Sequence, residues 1–283
     1  MPTAKAVMHS AVSIVNAIAT GKGATLGISL NVEAIIEVTQ GIGIVFENKE
    51  SSLSSRLIKS VIEKAVPKND LEKSRLRVAL KSEIPSGYGL KSSSAISSVV
   101  SLACAKLFKP QINDFEVLRH GVEASIESNV SITGAFDDAC GCYFGGFVVT
   151  DNHNLKIVKS EKAPEDLSVV IFIPKSRKRG NVKKLKILEG VFAQAWSLAS
   201  NSDYWNAMLL NGLATSTILG SDPRILTNLM EAGALASSVS GNGPSIAAVT
   251  KKENVQSVKK AFSSEGMIIV SDINNKKAEV YEV

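Results

Sequence analysis

Runs with the spacing of strands and runs with the spacing of helices alternate along the whole of this 283-residue chain. Residues 26–38 and 75–85 alternate apolar and polar side chains, as half-buried strands do. Residues 51–66 and 114–128 instead repeat apolar side chains every three or four positions, as helices do. Aromatic residues make up only 5% of the chain, so the core must consist mainly of Val, Ile, Leu and Ala. The pattern therefore predicts stacked layers of sheet and helix in an α+β fold.

The composition changes once along the chain. Charge and polarity rise over residues 151–166, and the buried-strand pattern "LSVVIFIP" follows directly. A chain of this length, with 45% hydrophobic residues, can form one large domain or two modest ones. We therefore predict an N-terminal domain over residues 1–163 and a C-terminal domain over residues 164–283.

No stretch reaches the ~18 consecutive apolar residues of a membrane-spanning helix. The mildly apolar N-terminal stretch is interrupted by His9, Ser10, Ser13 and Asn16, which argues against a signal peptide. The odd count of three cysteines suits a reducing compartment better than a disulfide framework. We expect a cytoplasmic protein without a membrane partner, and the sequence leaves its oligomeric state open.

The net charge of +5 and the isoelectric point near 9.0 raise the question of nucleic acid binding. The basic residues are scattered, except in the run "PKSRKRGNVKKLK" over residues 174–186. That run lacks the aromatic side chains on which a single-strand binder stacks bases. A small anionic ligand such as a nucleotide explains the charge equally well, and we expect no nucleic acid partner.

Residues 85–95 read "PSGYGLKSSSA" and lie between a predicted strand and an apolar, buried-type helix. Glycines let a backbone approach an anion closely, and the start of a helix presents unpaired N–H groups. The segment is either a phosphate-binding loop or a tight turn with serine caps. It is not a Walker A loop, and the chain has no G-x-S-x-G nucleophile elbow.

The loop resembles the second motif of the GHMP kinases, the superfamily of galactokinase, homoserine kinase, mevalonate kinase and phosphomevalonate kinase. In that family a G-L-G-S-S-A-like loop follows a strand that ends in proline, wraps the nucleotide phosphates and opens a helix. Here lysine replaces the middle glycine, and the segment reads Gly89, Leu90, Lys91, Ser92, Ser93, Ser94, Ala95. The turn "SVSGNGPSIAAV" is similar to the family's third motif, which implies that Gly241, Asn242 and Gly243 lie close to phosphate and substrate.

A spacing adds to this resemblance. Family members with a catalytic aspartate place it seven residues before a glycine pair, and place a metal-binding glutamate eleven residues before the aspartate. Counting back from Gly145 and Gly146 gives Asp138 and then Glu127, and both residue types are correct. Asp137 is the rival for the aspartate, since adjacent residues of an extended segment face opposite ways.

Within the superfamily, the wording "IVNAIATGKGATLGI", "SGYGLKSSSA", "TGAFDDACGCYFGG" and "SRKRGN" looks like that of the archaeal-type shikimate kinases, over residues 6–249. The resemblance implies a two-lobed GHMP kinase fold, with a ribosomal protein S5 domain 2-like N-terminal lobe that binds ATP and a ferredoxin-like C-terminal lobe. It implies ATP-dependent phosphorylation of the shikimate 3-hydroxyl in aromatic amino acid biosynthesis. A homoserine- or mevalonate-type kinase is the alternative. A catalytically inactive protein that senses a sugar or nucleotide with the same fold is a further class, but such a protein should have lost Glu127 or Asp138, and both are present.

The resemblance also implies the ligands of the loop. ATP and shikimate are the expected partners, and Mg²⁺ is the expected cofactor, bound by Glu127 and the Ser93 hydroxyl. The expected ATP-binding residues are Pro85, Ser86, Gly87, Tyr88, Gly89, Leu90, Lys91, Ser92, Ser93, Ser94 and Ala95.

Two observations about basic residues concern the binding and activation of the acceptor. Shikimate carries a carboxylate, and a guanidinium binds carboxylate through two parallel hydrogen bonds, so we expect Arg177 and Arg179 to bind the substrate. Mevalonate kinase has a lysine in its first motif, whereas the matching segment "MHSAVSIVN" has none. Lys5 and Lys22 are the candidates to replace it in space.

Overall fold

The structure is a computed structural model that describes residues 1–47, 55–262 and 265–283. Its first part contains β1 (Thr3–Val15), β2 (Lys22–Gln40), β3 (Gly43–Phe46), α1 (Ser55–Ala65), α2 (Lys68–Leu71), β4 (Ser74–Ser82), α3 (Ser92–Phe108), α4 (Asp114–Glu127), α5 (Phe136–Phe144), β5 (Phe147–Asp151) and β6 (Lys156–Glu161). The second part contains β7 (Leu167–Pro174), α6 (Glu189–Ser200), α7 (Tyr204–Leu219), α8 (Arg224–Glu231), β8 (Ala234–Val239), β9 (Ile246–Lys251), α9 (Val255–Ala261), β10 (Gly266–Asp272) and β11 (Glu279–Glu282), with short 3-10 helices at Val182–Leu188 and Lys252–Asn254.

The first sheet has seven strands built around the long β1–β2 hairpin. Alternate residues of β1, such as Ala4, Ala6 and Met8, are fully buried, as expected for a strand with one face on the core. Hydrogen bonds order the strands β11-β1-β2-β4-β3, and β5 and β6 continue from the first half of β2. β3 and β4 are parallel, whereas the other paired strands run antiparallel.

The second sheet is antiparallel and has the order β10-β7-β9-β8. In chain order its strands are therefore the fourth, first, third and second, with helices between the first and second and between the third and fourth. This is the ferredoxin-like arrangement. The α+β, two-lobed fold predicted from the sequence is confirmed.

Helix α3 is the central helix of the first lobe. It packs against β1, β2, α1 and α4, and Val99, Val100, Ala103 and Cys104 are buried on different sides of it. Because α3 is buried on all sides, the position of its N-terminus, which follows the glycine loop, is fixed. The helix predicted over residues 51–66 is observed as α1, and residues 51–54 lie outside the described part of the chain. In the described ranges, no helix is long and apolar enough to cross a membrane.

The segment between the two sheets is held by the chain's last residues. The Asn275 side chain donates to the carbonyl of Ala163 and accepts from its backbone N–H, both at 2.8 Å. After this point the chain returns to the first sheet, where β11 pairs with β1. The domain boundary near residue 163 stays a prediction. The C-terminal strand β11 belongs to the N-terminal sheet, because it pairs with β1.

Candidate active site

A cleft of about 340 Å³ opens where four segments meet: the end of β1, the loop before α3, the first turn of α5 and the turn between β8 and β9. The structure brings most of the expected site residues to it, namely Gly87, Gly89, Leu90, Lys91, Ser92, Ser93, Ser94, Asp137, Asp138, Arg179, Gly241 and Asn242. Other residues of the expected set do not line it, namely Pro85, Ser86, Tyr88, Ala95, Glu127, Arg177 and Gly243. The cleft thus unites distant parts of the chain, since Asn242 follows Ser13 by 229 positions.

The glycine loop is held from behind by serine hydroxyls. Ser240 Oγ donates to the carbonyl of Gly89 at 2.9 Å, and Ser10 Oγ donates to the carbonyl of Leu90 at 2.8 Å. Gly89 has a φ of 81°, and a Cβ at this position would lie 2.0 Å from the Ser240 carbonyl oxygen. Only glycine fits this close contact. The first turn of α3 therefore presents its N–H groups to the cleft as an anion site.

Lys91 reaches the centre of the cleft from this loop. Its side chain is only 3% exposed, and its Nζ lies 2.5 Å from Ser13 Oγ and 2.7 Å from Asp138 Oδ1. Its backbone has a φ of 62°, a left-handed conformation that costs a residue with a side chain about 1–2 kcal/mol. Lys5 and Lys22, the candidates to replace the first-motif lysine in space, do not line the cleft. Lys5 pairs with Glu33, and Lys22 lies over the Trp196 ring.

Asp137 and Asp138 both lie in the first turn of α5, not in the extended segment that the sequence suggested. The side chains of successive residues in a helix point in directions that differ by about 100°, so the two carboxyl groups have different surroundings. Asp138 is 21% exposed and pairs with Lys91. Asp137 is 4% exposed and receives a hydrogen bond from Asn152 Nδ2 at 2.7 Å. Burial, aided by the nearby charge of Asp138, raises the pKa of the Asp137 carboxyl to about 7.

Glu127 does not reach the cleft, contrary to the expectation from its spacing. It is the last residue of α4, is 59% exposed, and accepts hydrogen bonds from Lys64 Nζ at 2.5 Å and Ser60 Oγ at 3.0 Å. The hydrogen bond from Lys64 lowers the pKa of its carboxyl. Ser125, two residues earlier, does line the cleft, because a helix turns by about 200° over two residues. Across the described ranges, no group of three or more His, Cys, Asp or Glu side chains is placed to hold a metal ion.

The basic run divides between two places. Arg179 lines the cleft, and its Nη1 lies 3.4 Å from the carbonyl oxygens of Asn242 and Gly243. Arg177 lies outside the lining, with its Cζ 5.0 Å from the centre of the Tyr88 ring. Arg179 is therefore placed to meet a ligand in the cleft, whereas Arg177 covers the glycine loop from the outside.

Two polar residues at the end of β1 were not singled out from the sequence as site residues. Ser13 Oγ accepts from the backbone N–H of Gly241 at 2.9 Å, and Asn16 Nδ2 donates to the Gly241 carbonyl at 2.8 Å. Both residues line the cleft and tie the first strand to the β8–β9 turn. The signal in the sequence is that both residues interrupt an otherwise apolar run, a pattern that also argues against a signal peptide.

Comparison with known proteins adds sequence and structural relatives. The family described as GHMP kinases N terminal domain matches residues 56–146, and the family described as GHMP kinases C terminal matches residues 206–267. The shikimate kinase of Methanosarcina mazei is 38% identical over 276 residues, which cover 94% of this chain and 92% of that protein. The shikimate kinase of Methanobrevibacter smithii is 35% identical over 274 residues, which cover 93% and 94%.

Among solved structures, a homoserine kinase from Cytophaga hutchinsonii superposes with a TM-score of 0.76. The superposition covers 99% of this chain and 97% of that one, at 18% sequence identity. Likeness at this low identity shows a shared fold and does not extend to the acceptor.

Proposed function

This chain belongs to the GHMP kinase family, and we propose that it transfers the γ-phosphoryl group of ATP to the 3-hydroxyl of shikimate. The products are shikimate 3-phosphate and ADP, in the route to the aromatic amino acids. One observation carries the choice of acceptor: 35–38% identity to two curated shikimate kinases over more than nine-tenths of the chain. The homoserine kinase likeness is at 18% identity and supports the fold alone.

The nucleotide phosphates bind at the glycine loop in this proposal. The N-terminus of α3 supplies backbone N–H groups and the positive end of the helix dipole. Gly87 and Gly89 let the backbone approach the phosphates closely, and both have positive φ. The ATP site comprises the segment from Pro85 to Ala95 expected from the sequence, with its cleft-lining part in direct contact with the phosphates.

Asp138 is the proposed catalytic base. Both aspartates line the cleft, but the Asp138 carboxylate is the more exposed of the two, whereas the Asp137 carboxyl is buried and hydrogen-bonded to Asn152. The acceptor oxygen forms a bond to the γ-phosphorus, and the bond from that phosphorus to the bridging oxygen breaks. ADP leaves with the electron pair of that bond, and the hydroxyl proton moves to the Asp138 carboxylate.

Mg²⁺ fits the donors present at the start of α3. The hydroxyls of Ser92, Ser93 and Ser94 are hard oxygen ligands, and Mg²⁺ in nucleotide sites keeps several waters and binds phosphate oxygens. We propose that the exposed Ser93 hydroxyl holds the ion, together with phosphate oxygens and water. When bound, the ion would neutralise charge on the β- and γ-phosphates. Glu127 is not retained as its ligand, because its carboxylate pairs with Lys64 outside the cleft.

The shikimate carboxylate is assigned to Arg179. This guanidinium lines the cleft beside the turn Gly241, Asn242 and Gly243, which forms the wall next to Asn16. Arg177 remains a second candidate for binding the substrate. It is the weaker candidate because its guanidinium lies over the Tyr88 ring and outside the cleft lining. The three cysteines are free and buried, which supports the proposed cytoplasmic location.

Product identification tests this function. The purified protein is incubated with ATP, Mg²⁺ and shikimate, and the product is examined by ³¹P and ¹H NMR spectroscopy. We expect a single phosphate ester whose phosphorus couples to the proton on ring carbon 3. A phosphate on another ring carbon, or an unphosphorylated ring with ATP intact, would contradict the proposal.

A further inference from the structure

We propose that Lys91, supplied by the phosphate loop, is the cation that acts on the reacting oxygens, in place of a lysine from the first strand. This inference rests on the proposed kinase function, because it assigns a residue to that reaction. The sequence marked this residue as a departure from the usual loop glycine and as one of the expected ATP-binding residues, with no role at the reacting oxygens.

The ammonium group of Lys91 lies where three motifs meet. Ser13 comes from β1, Asp138 from α5, and Gly241 from the β8–β9 turn. The Nζ is 2.5 Å from Ser13 Oγ and 2.7 Å from Asp138 Oδ1, and a Cβ added to Gly241 would lie 3.0 Å from it. A nearly buried ammonium is favourable only when it is paired, and these contacts provide the pairing.

The pairing leaves one donor for a ligand. An ammonium group has three N–H donors, and Ser13 and Asp138 take two of them among the described residues. Lys91 also lines the cleft, between the proposed phosphate site at Ser92–Ser94 and the proposed base. The third donor is thus available to an oxygen of the acceptor or of the transferring phosphoryl group, where negative charge develops in the transition state.

The backbone of Lys91 argues for function over packing. A side chain at φ 62° is strained, and glycine would occupy this position without strain. Strained residues persist where the surrounding structure holds them for a purpose, and they cluster at active sites. The hydrogen bonds of the ammonium hold the lysine here in spite of its backbone.

Other lysines do not compete for this place. Lys5 of β1 pairs with Glu33 of β2 at 3.0 Å, and the Lys22 Nζ lies 4.5 Å from the centre of the Trp196 ring. Of the lysines in the described ranges, Lys91 is the one that lines the cleft. Lys91 therefore supplies to the cleft the cation that the segment "MHSAVSIVN" does not provide.

The test compares Lys91→Gly and Lys91→Met with Lys22→Met as a surface control. Each variant is assayed on the best acceptor of the unsubstituted protein, so the result does not depend on that acceptor being shikimate. We expect both Lys91 variants to lose kcat by about 10²–10³-fold, with the KM for ATP within about threefold of the parent. Because Lys91→Gly removes the strain, its melting temperature should equal or exceed that of Lys91→Met.

Three results would overturn the inference. The first is a Lys91→Gly enzyme with a kcat within about threefold of the parent. The second is a loss confined to the KM for ATP, which would make Lys91 a nucleotide-binding residue. The third is an equal loss of kcat in Lys22→Met or in a Lys5→Met enzyme. If the parent protein uses an acceptor other than shikimate while Lys91→Gly loses kcat, the choice of acceptor fails and the role of Lys91 stands.

Discussion

The side chain of Asn152 holds Asp137 at two points: its Nδ2 donates to Asp137 Oδ1 at 2.7 Å, and its Oδ1 accepts from the Asp137 backbone N–H at 3.2 Å. Thr150 Oγ1 fixes the amide by donating to the same Oδ1 at 2.7 Å. The buried carboxyl group of Asp137 is thereby hydrogen-bonded to Asn152, whereas that of the neighbouring Asp138 pairs with Lys91. The two adjacent carboxyl groups line the same cleft but differ in exposure, with 4% for Asp137 and 21% for the side chain of Asp138.

The first prediction concerns these two aspartates. Asp138→Asn should lower kcat by about two to four powers of ten while nucleotide binding stays nearly intact, because the variant cannot accept the hydroxyl proton. Asp137→Asn is the matched control and should lose far less. Steady-state kinetics together with nucleotide titration by calorimetry measures both effects. A fully active Asp138→Asn enzyme beside an inactive Asp137→Asn enzyme would move the base to Asp137.

The second prediction is a pH dependence of stability. An Asp carboxyl titrates near 3.9 in an unfolded chain, and burial raises the folded-state pKa of Asp137 to about 7. Between these values the folded state holds a proton that the unfolded state has released. The contribution of Asp137 to stability is therefore fully present below about pH 4 and is lost as the pH rises to about 7.

Denaturant unfolding of the parent and of Asp137→Asn at pH 5, 6, 7 and 8 measures this contribution. The free energy of unfolding of the parent should fall, relative to that of Asp137→Asn, as the pH rises from 5 to 7, and the difference should level off by pH 8. A difference that grows in favour of the parent with rising pH would contradict the burial argument.

The third prediction tests the carboxylate partner. Arg179→Ala should raise the KM for shikimate by about ten- to a hundredfold, in line with the loss of a charge-assisted contact of about 1.5–3 kcal/mol. Arg177→Ala should have a smaller effect because it lies outside the cleft lining. Arg224→Ala is the control, since Arg224 is exposed and pairs with Asp222. Normal shikimate binding by both Arg177→Ala and Arg179→Ala in calorimetry would place the carboxylate elsewhere.

The fourth prediction separates close contact from backbone strain in the glycine loop. Gly89 and Gly220 have φ values of 81° and 77°, but a Cβ on Gly89 would lie 2.0 Å from the Ser240 carbonyl, whereas Gly220 has open space. Gly220→Ala should therefore cost only the strain of about 1–2 kcal/mol. Gly89→Ala should cost more, and it should also weaken nucleotide binding. Equal losses of unfolding free energy in the two variants would show that the contact is unimportant.

The sequence was sufficient for the fold and for most of the cleft. Periodicity predicted several strands and helices, such as β4, α1 and α4, because alternate or helical burial depends on local geometry. It did not predict α5, whose residues 136–144 were expected to be extended. The glycine loop is visible in the sequence because close backbone contacts require glycine, as at Gly89, whereas the β8–β9 turn was identified through its resemblance to a GHMP kinase motif. Such constraints are visible in single residues.

What the sequence did not predict depends on side-chain direction. Glu127 has the expected spacing from Asp138, but spacing does not specify the side of α4 from which the side chain projects. The carboxylate projects towards Lys64 and pairs with it. The role of Lys91 depends on a left-handed backbone that turns its side chain towards Ser13. These features arise from tertiary packing, so local patterns carry no signal for them.

A coupled ADP-release assay with Mg²⁺ against shikimate, homoserine and mevalonate tests whether the cleft phosphorylates shikimate. We predict magnesium-dependent turnover with shikimate, and a kcat/KM at least about a thousandfold above those for the other two acceptors, because a site built for a ring carboxylate and triol leaves its polar groups unpaired with a flexible chain. Turnover with homoserine or mevalonate and none with shikimate would exclude shikimate as the acceptor.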